Sequence, residues 1–307
     1  MPDLLCMGEP MLEFNQLPPG PDGTVHYLEG HGGDTSNAAV AAARQGASVG
    51  YITAIGRDAP GDSFMALWAR ENVDTSTVLR TDRAQTGVYF VTHDAQGHHF
   101  LHYRKGSPAA LYGPADLPET ALAAAKIFYV SGISQGISTS AADAVFRAIE
   151  IVRQHGGKVA YDTNYRPRLW PPGRAAAVMH AAMTGADFAF PGLEDALVLT
   201  GLSEPGAILD FYLRLDIKVV VLKMGESGAY LADAQRRIMI PPHHVDAVDA
   251  TGAGDTFCGA FLARILAGDS PEHAARYAGV AAALKCTGYG AVAPIPTAAA
   301  VRAVLAA

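Results

Sequence analysis

The run Asp249-Ala-Thr-Gly-Ala-Gly-Asp-Thr-Phe-Cys-Gly-Ala-Phe261 carries a turn directly into a helix. Gly252, Ala253 and Gly254 are small enough for a tight turn, and Phe257, Phe261 and Ile265 then recur every four residues, the spacing of an apolar helix face. The first amides of such a helix have no partners within it and the macrodipole is positive there, so a glycine-lined entry favours an anion. A phosphate suits that place. Asp255, in the first turn, would then be close enough to accept a proton from an attacking hydroxyl. The plainer reading makes Asp255 an ordinary first-turn carboxylate and the glycines only a turn.

Outward from this run the chain has the composition of a large globular core. Of its 307 residues 50% are hydrophobic and 17% charged, which fits one α/β domain with an appendage, or two domains, at roughly 150 residues per domain. The formal net charge is −7 with no Lys/Arg run, which argues against nucleic acid or an anionic membrane as partner. Neither the N-terminal Met1-Pro-Asp-Leu-Leu-Cys-Met-Gly-Glu-Pro10 nor any later stretch resembles a leader or an unbroken span of roughly 18 apolar residues, so a cytoplasmic protein is expected. Cys6, Cys258 and Cys286 are odd in number and far apart, and they read as reduced thiols rather than a disulfide frame or zinc site. The 11 histidines form no His-Glu-x-x-His pattern, and for His98, His99 and His102, in or beside a hairpin, no metal role is expected.

Leu4-Leu-Cys-Met-Gly8 suits a buried strand whose carboxyl end opens into a site, with Glu9 and Glu13 just beyond. Met11 to Phe14 and Val25 to Leu28 read as strands outside the main sheet. Gly30-His-Gly-Gly-Asp-Thr-Ser-Asn37 is a second glycine-rich turn, feeding a helix over Ala38 to Gln45 that Asp34, Thr35 or Ser36 could cap. Thr86 to Thr92 and His99 to Arg104 read as a hairpin across His93 to His98. From Ile127 to Lys223 short apolar runs alternate with helical ones, the rhythm of a parallel sheet, and a hairpin over Ala229 to Ile240 precedes the Asp249 run. The expected fold class is α/β: a doubly wound, mostly parallel sheet flanked by helices over residues 1–307. A small β-sheet lid, from segments of about 11–30 and 86–105, would project over the strand carboxyl ends, where ligands bind in such folds.

The glycine-rich turn leading to Asn37, paired with the Asp249 to Phe261 run, resembles the ribokinase (PfkB-type) carbohydrate kinases, and the likeness extends over nearly the whole chain. The segments His102-Tyr-Arg-Lys-Gly-Ser107, Val130-Ser-Gly-Ile-Ser134 and Asp162-Thr-Asn-Tyr-Arg-Pro-Arg-Leu-Trp170 look most like the members that phosphorylate 2-keto-3-deoxygluconate. The resemblance implies a ribokinase-like fold, ATP and Mg²⁺ as cofactors, and transfer of the γ-phosphate to the carbon-6 hydroxyl of that keto acid. A fructokinase, ribokinase or other sugar kinase is the alternative. Asp255 would be the general base, with Gly252, Ala253 and Gly254 as the anion hole. Because no Gly-x4-Gly-Lys-Ser/Thr loop is present, the nucleotide would rest on Lys223-Met-Gly225-Glu-Ser-Gly228, with adenine towards Ala282 to Gly288. Three departures stand out: Asp34-Thr-Ser after Gly32-Gly33, Ala250 after Asp249, and Pro191-Gly-Leu-Glu194 where Asn-x-x-Glu is common. Glu194 would therefore organise Mg²⁺ through water, and Asp249 would orient metal or base, or only cap its loop.

Substrate choice has its own argument. Asn37, Tyr89, Tyr103, Arg104 and Arg166 lie on segments that would face the crevice, and Gly33 would let the backbone approach the ligand. A neutral sugar does not require two arginines. A sugar acid does, because guanidinium forks bind a carboxylate bidentately. The alternatives are a structural pair of Arg166 with Asp162 or Asp58, and Tyr89 as filler. Exposed apolar lid surface would favour a homo-oligomer through the lid. A protein that binds sugar or nucleotide without catalysis would not need Asp255, and a nicotinamide oxidoreductase would carry Gly-x-Gly-x-x-Gly after the first strand, which is missing.

Overall fold

The computed structural model describes residues 1–94 and 97–306; the tip of the expected hairpin, Ala95 and Gln96, lies outside them. The chain opens with β1 (Leu4–Met7), β2 (Met11–Gln16), β3 (Tyr27–Gly32), α1 (Asp34–Arg44), β4 (Val49–Gly56) and α2 (Ala59–Arg70). Next come β5 (Val73–Asp74), β6 (Val78–Thr81), β7 (Val88–Asp94), β8 (Gly97–Tyr103), and the short α3 (Pro108–Leu111) and α4 (Glu119–Ala124). The middle holds β9 (Ile127–Ser131), α5 (Gly132–Gly136), α6 (Thr139–Gln154), β10 (Lys158–Asp162), α7 (Pro172–Met183), β11 (Phe188–Phe190), α8 (Leu193–Thr200) and α9 (Pro205–Leu213). It closes with β12 (Val219–Lys223), β13 (Ala229–Ala232), β14 (Arg237–Ile240), α10 (Ala253–Leu266), α11 (Pro271–Lys285) and α12 (Ala298–Leu305).

The main sheet runs β14-β13-β12-β11-β10-β9-β1-β4-β5, with β6 also on β4; it is parallel from β12 to β5, and β13 and β14 are antiparallel. Strands β1, β4 and β9 are buried along their whole length, as strands covered on both faces must be. One face packs α1, α2, α10 and α11, and the other packs α6 to α9. The chain leaves β1 towards β4 on one side and towards β9 on the other, which puts a topological switch at the carboxyl end of β1. The four-stranded sheet β3-β2-β7-β8 is separate. These are the doubly wound core and the small second sheet that the sequence led us to expect.

Three local readings need correction. Helix α1 starts at Asp34 with Gly33 (φ +104°) as its N-cap, and no side chain caps it. Asp34, Thr35 and Ser36 are already inside the helix and buried, Thr35 bonding Tyr51 (2.9 Å) and Ser36 accepting from the Trp68 indole (3.0 Å). Strand β3 lies two to four residues later than Val25 to Leu28, paired to β2 through Gly32. Helix α9 was not foreseen, because Pro205-Gly206 reads as a breaker, yet proline at N1 costs nothing where its amide would be unpaired anyway. Among the described residues no single helix is long and apolar enough to cross a membrane; α8 and α9 pass that test only as a pair bent by 67°.

Candidate active site

The opening turn of α10 lies against the loop that follows α11. Gly252 adopts φ +78°, and a Cβ there would come within 3.0 Å of the Ala291 carbonyl oxygen, so the turn admits only glycine without a shift. No side chain caps the helix. The Ala253 amide donates to the Ala250 carbonyl at 3.1 Å, which corrects the expectation that it faces the ligand. The amides of Gly252, Gly254 and Asp255 have no protein partner among the described residues. They lie at the positive end of a fourteen-residue helix, where an anion is favoured.

Helix α1 packs closely on α10 because both faces are stripped to small residues. Ala38, Ala41 and Gly259 meet there, and a Cβ on Gly259 would come within 2.2 Å of the Ala38 carbonyl oxygen. That seam brings Asn37 to Asp255, with Nδ2 donating to Oδ2 at 2.8 Å. Burial first, then the neighbouring charge of Asp34, pushes the Asp255 carboxyl up to about 7; the Asn37 bond and Lys223 act in the other direction. An acid with a pKa near neutrality is tuned for general-base work. Two buried acceptors nearby, Asp34 Oδ1 and Asn37 Oδ1, have no hydrogen-bond partner, which leaves capacity for hydroxyl donors.

Behind the turn lies a buried ion pair that the sequence did not disclose. Lys223, at the end of β12, donates to Asp162 Oδ2 at 2.6 Å; the Cys258 thiol and the Tyr129 hydroxyl reach the same oxygen at 3.3 and 3.5 Å. Burial works against the Lys223 ammonium, but Asp162 holds it above its ordinary value. Nζ lies 3.4 Å from where a Gly254 Cβ would be. Lys223 therefore supports the anion-binding turn from beneath. Gly225 and Gly228 both take positive φ in the tight β12–β13 connection, and a Gly228 Cβ would come within 2.3 Å of the Ile240 carbonyl oxygen.

On the small sheet, paired residues fix which side chains share a face. Tyr89 lies opposite His102 and stacks on it, with ring centroids 5.5 Å apart, and its hydroxyl donates to Glu13 in a short hydrogen bond. Tyr103, one residue on, is on the opposite face with Val88 and Phe90 and is 59% exposed, so this strand does not bring it beside His102. Arg104 is not free: its Nε and Nη2 both donate to Glu9 Oε2, while Ser107 holds Oε1 at 2.5 Å. Arg166 is exposed and bonds only the Tyr165 carbonyl, at 3.1 Å; neither Asp162 nor Asp58 pairs with it, which removes the structural alternative. Burial and then the charges of Arg104, Arg168 and Arg166 push His102 down to about 4, which keeps its ring neutral. Sequence reasoning missed His102 and Arg168 as members of this group.

Among the described residues no cluster of three or more metal-ligating side chains occurs. Glu194, in the first turn of α8, is exposed and unpaired. Both Asp249 oxygens accept backbone amides, Oδ1 from Thr251 and Oδ2 from Gly290, each at 2.8 Å, which is the loop-capping option.

The family described as pfkB family carbohydrate kinase matches residues 1–298. A 2-dehydro-3-deoxygluconokinase of Thermoproteus tenax is 32% identical over 92% of this chain and 88% of its own length. One of Dickeya dadantii is 33% identical over 95% and 97%. A solved structure described as a ribokinase II from E. coli, in complex with ATP and Mg²⁺, superposes with a TM-score of 0.92 at 24% identity, over 100% of this chain and 99% of that one. A helix-start anion site with a tuned carboxylate, on a ribokinase-like fold matched nearly end to end, leaves one assignment: the chain belongs to the pfkB family of carbohydrate kinases and is a sugar kinase.

Proposed function

We propose that this kinase transfers the γ-phosphate of ATP to the carbon-6 hydroxyl of 2-keto-3-deoxygluconate, giving the 6-phosphate. The observation that carries the substrate class is that Arg168, whose guanidinium donates to the Phe100 carbonyl of β8 at 2.8 Å, and the exposed Arg166 near it have no carboxylate partner among the described residues. Guanidinium groups without a carboxylate partner are placed to take an anion bidentately. The acid group of the sugar would bind there, chiefly to the exposed Arg166, with Tyr89, Gly33 and Asn37 along the chain of hydroxyls. The family relatives named 2-dehydro-3-deoxygluconokinase support the same reading.

Asp255 would accept the proton of the carbon-6 hydroxyl as its oxygen forms a bond to γ-phosphorus; the bond from γ-phosphorus to the β-bridging oxygen breaks and ADP leaves. The amides of Gly252, Gly254 and Asp255 hold the charge on the moving group. The polyphosphate would lie along the turn of Gly225 and Gly228, with Lys223 acting from below. Mg²⁺ needs few protein ligands when phosphate and water supply most of its shell, and the unpaired Glu194 fits that requirement through water. The ion, when bound, neutralises charge on the phosphates. The outward face of the small sheet exposes Tyr27, Leu101 and Tyr103 and would join two copies.

A coupled assay of ADP release with the keto acid, its galactonate epimer, fructose and ribose tests the reading. The keto acid should exceed the neutral sugars in kcat/KM by about 10- to 100-fold, the worth of a hydrogen bond to a charged group. Equal turnover of fructose would replace the sugar-acid reading with a fructokinase.

A further inference from the structure

The segment between β10 and α7, which carries Arg166, contains a strained backbone position. Among the described residues three non-glycines have positive φ: Asn72 at +56° and Asp216 at +60° lie in the left-handed basin, roughly +50 to +70°, and Asn164 at +31° falls short of it. Such a conformation persists only where its surroundings over-determine it. Asn164 has contacts of its own: its amide donates to Asp162 Oδ1 at 3.2 Å and its side chain to Asp34 Oδ2 at 2.9 Å. Its two chain neighbours both end on a single atom, Oδ2 of Asp195, which accepts the Thr163 hydroxyl at 2.9 Å and the Tyr165 amide at 3.0 Å. Asp195 is the third residue of α8, where a carboxylate would ordinarily turn back to the amide of the N-cap. Here the N-cap amide, that of Gly192, goes instead to the Thr163 hydroxyl at 3.3 Å, and Asp195 is turned towards the chain that leaves β10.

We propose that Asp195 is a positioning residue of the substrate site: by holding both neighbours of the strained Asn164 it fixes where Arg166 presents its guanidinium, and so takes part in the choice of a sugar acid over a neutral sugar. Asp195 itself touches neither ligand. The direction of Arg166 follows from the point at which Tyr165 is pinned, because Pro167 confines the residue before it to extended backbone. The Arg166 carbonyl is then closed into a turn by the Leu169 amide at 2.9 Å. Two residues beyond Arg166, Arg168 reaches the Phe100 carbonyl of β8 at 2.8 Å, so the segment runs from the core to the small sheet. Without the bonds to Asp195, Asn164 is free to relax to an ordinary φ, and Arg166 swings with it while keeping its charge. The effect on substrate choice rests on the sugar-acid reading above; the hold on the turn does not.

Asp195→Ala removes both bonds, and Asp195→Asn keeps an acceptor oxygen in their place. The ratio of kcat/KM for the keto acid to that for fructose should fall about tenfold in Asp195→Ala, within the worth of a hydrogen bond to a charged group. It should stay near the wild-type ratio in Asp195→Asn. Because Asp195 acts through Arg166, Asp195→Ala should add nothing to the selectivity already lost in Arg166→Met. Hydrogen exchange over residues 163–168, read without ligand, should quicken in Asp195→Ala and not in Asp195→Asn. An unchanged ratio in Asp195→Ala, losses that add in full to those of Arg166→Met, or unchanged exchange would each overturn the proposal. A wild type that turns over fructose as well as the keto acid would instead remove the sugar-acid reading, and the exchange result would then decide alone whether Asp195 holds the turn. Should Asp195→Ala fail to fold, Thr163→Val takes its place: it removes one of the two bonds, the same lack of additivity with Arg166→Met is expected, and full additivity is fatal.

Discussion

At the start of α10 the groups that face the crevice are three backbone amides and one carboxylate, set by the packing of Gly259 on Ala38 and of Gly252 on Ala291. On the small sheet they are long side chains that hold one another: Arg104 and Ser107 on Glu9, Tyr89 on Glu13, His102 stacked on Tyr89. In the first region the backbone is fixed by close packing, so few rotatable groups would have to be ordered by a ligand. The second must exchange internal partners for a ligand. On the proposed reading, phosphoryl transfer would rest on backbone, and substrate choice on side chains that can be altered one at a time.

Removing the base should break the rigid half most severely. Asp255→Asn should leave ATP binding nearly intact and lower kcat by ~10² or more, read from single-turnover kinetics. The same change should stabilise the fold. A carboxyl raised to about 7 in the folded state, against ~3.9 when unfolded, destabilises the wild type fully above the folded value. The penalty fades as pH falls between the two, because the folded state then binds the extra proton. The melting temperature of the variant should therefore exceed that of the wild type on the alkaline side, and the margin should shrink as pH falls below about 7. A margin that grew on acidification would mean that Asp255 titrates low and has been misassigned.

The two arginines sharpen the other half. Arg166 is exposed with one bond to a neighbouring carbonyl, so Arg166→Met should leave the melting temperature unchanged. It should cost the keto acid about 10- to 100-fold in kcat/KM, the worth of a hydrogen bond to a charged group, and fructose nothing. Arg104→Met should cost both activity and stability, since Glu9 is 2% exposed and would be left as an unpaired buried charge. Thermal melts of Arg104→Met and of the double variant with Glu9→Gln separate the terms: stability should return in the double variant while selectivity stays lost.

The same contrast governs what the sequence could reveal. Asp249 to Phe261 is contiguous, and local rules for helix starts apply to it, so the turn into α10 was legible. The Ala253 amide was misjudged because one hydrogen bond inside a turn, to Ala250, is not a matter of residue type. Arg104 was expected to be free because its partner, Glu9, lies 95 positions earlier at the end of another strand. Tyr103 was placed with the substrate because neighbouring strand positions face opposite ways, and only the pairing of β7 with β8 says which way. Lys223 was assigned to nucleotide because nothing local announces that Asp162, on the strand two places away in the sheet, takes its ammonium.

The Lys223 and Asp162 pair offers the smallest and most discriminating test, because it lies under the rigid half yet behaves as a side-chain pair. Lys223 favours the ionised form of Asp255 and Asp162 opposes it. Lys223→Met should therefore move the acid limb of the kcat/KM profile to higher pH, and Asp162→Asn should move it lower. In the double variant both charges vanish, and the limb should fall between the single variants. If the pair mattered only as packing, all three variants would lose rate in proportion to stability while the limb stayed at the wild-type position. A moving limb with kcat at its plateau little changed would show that the core beneath the turn sets the base electrostatically.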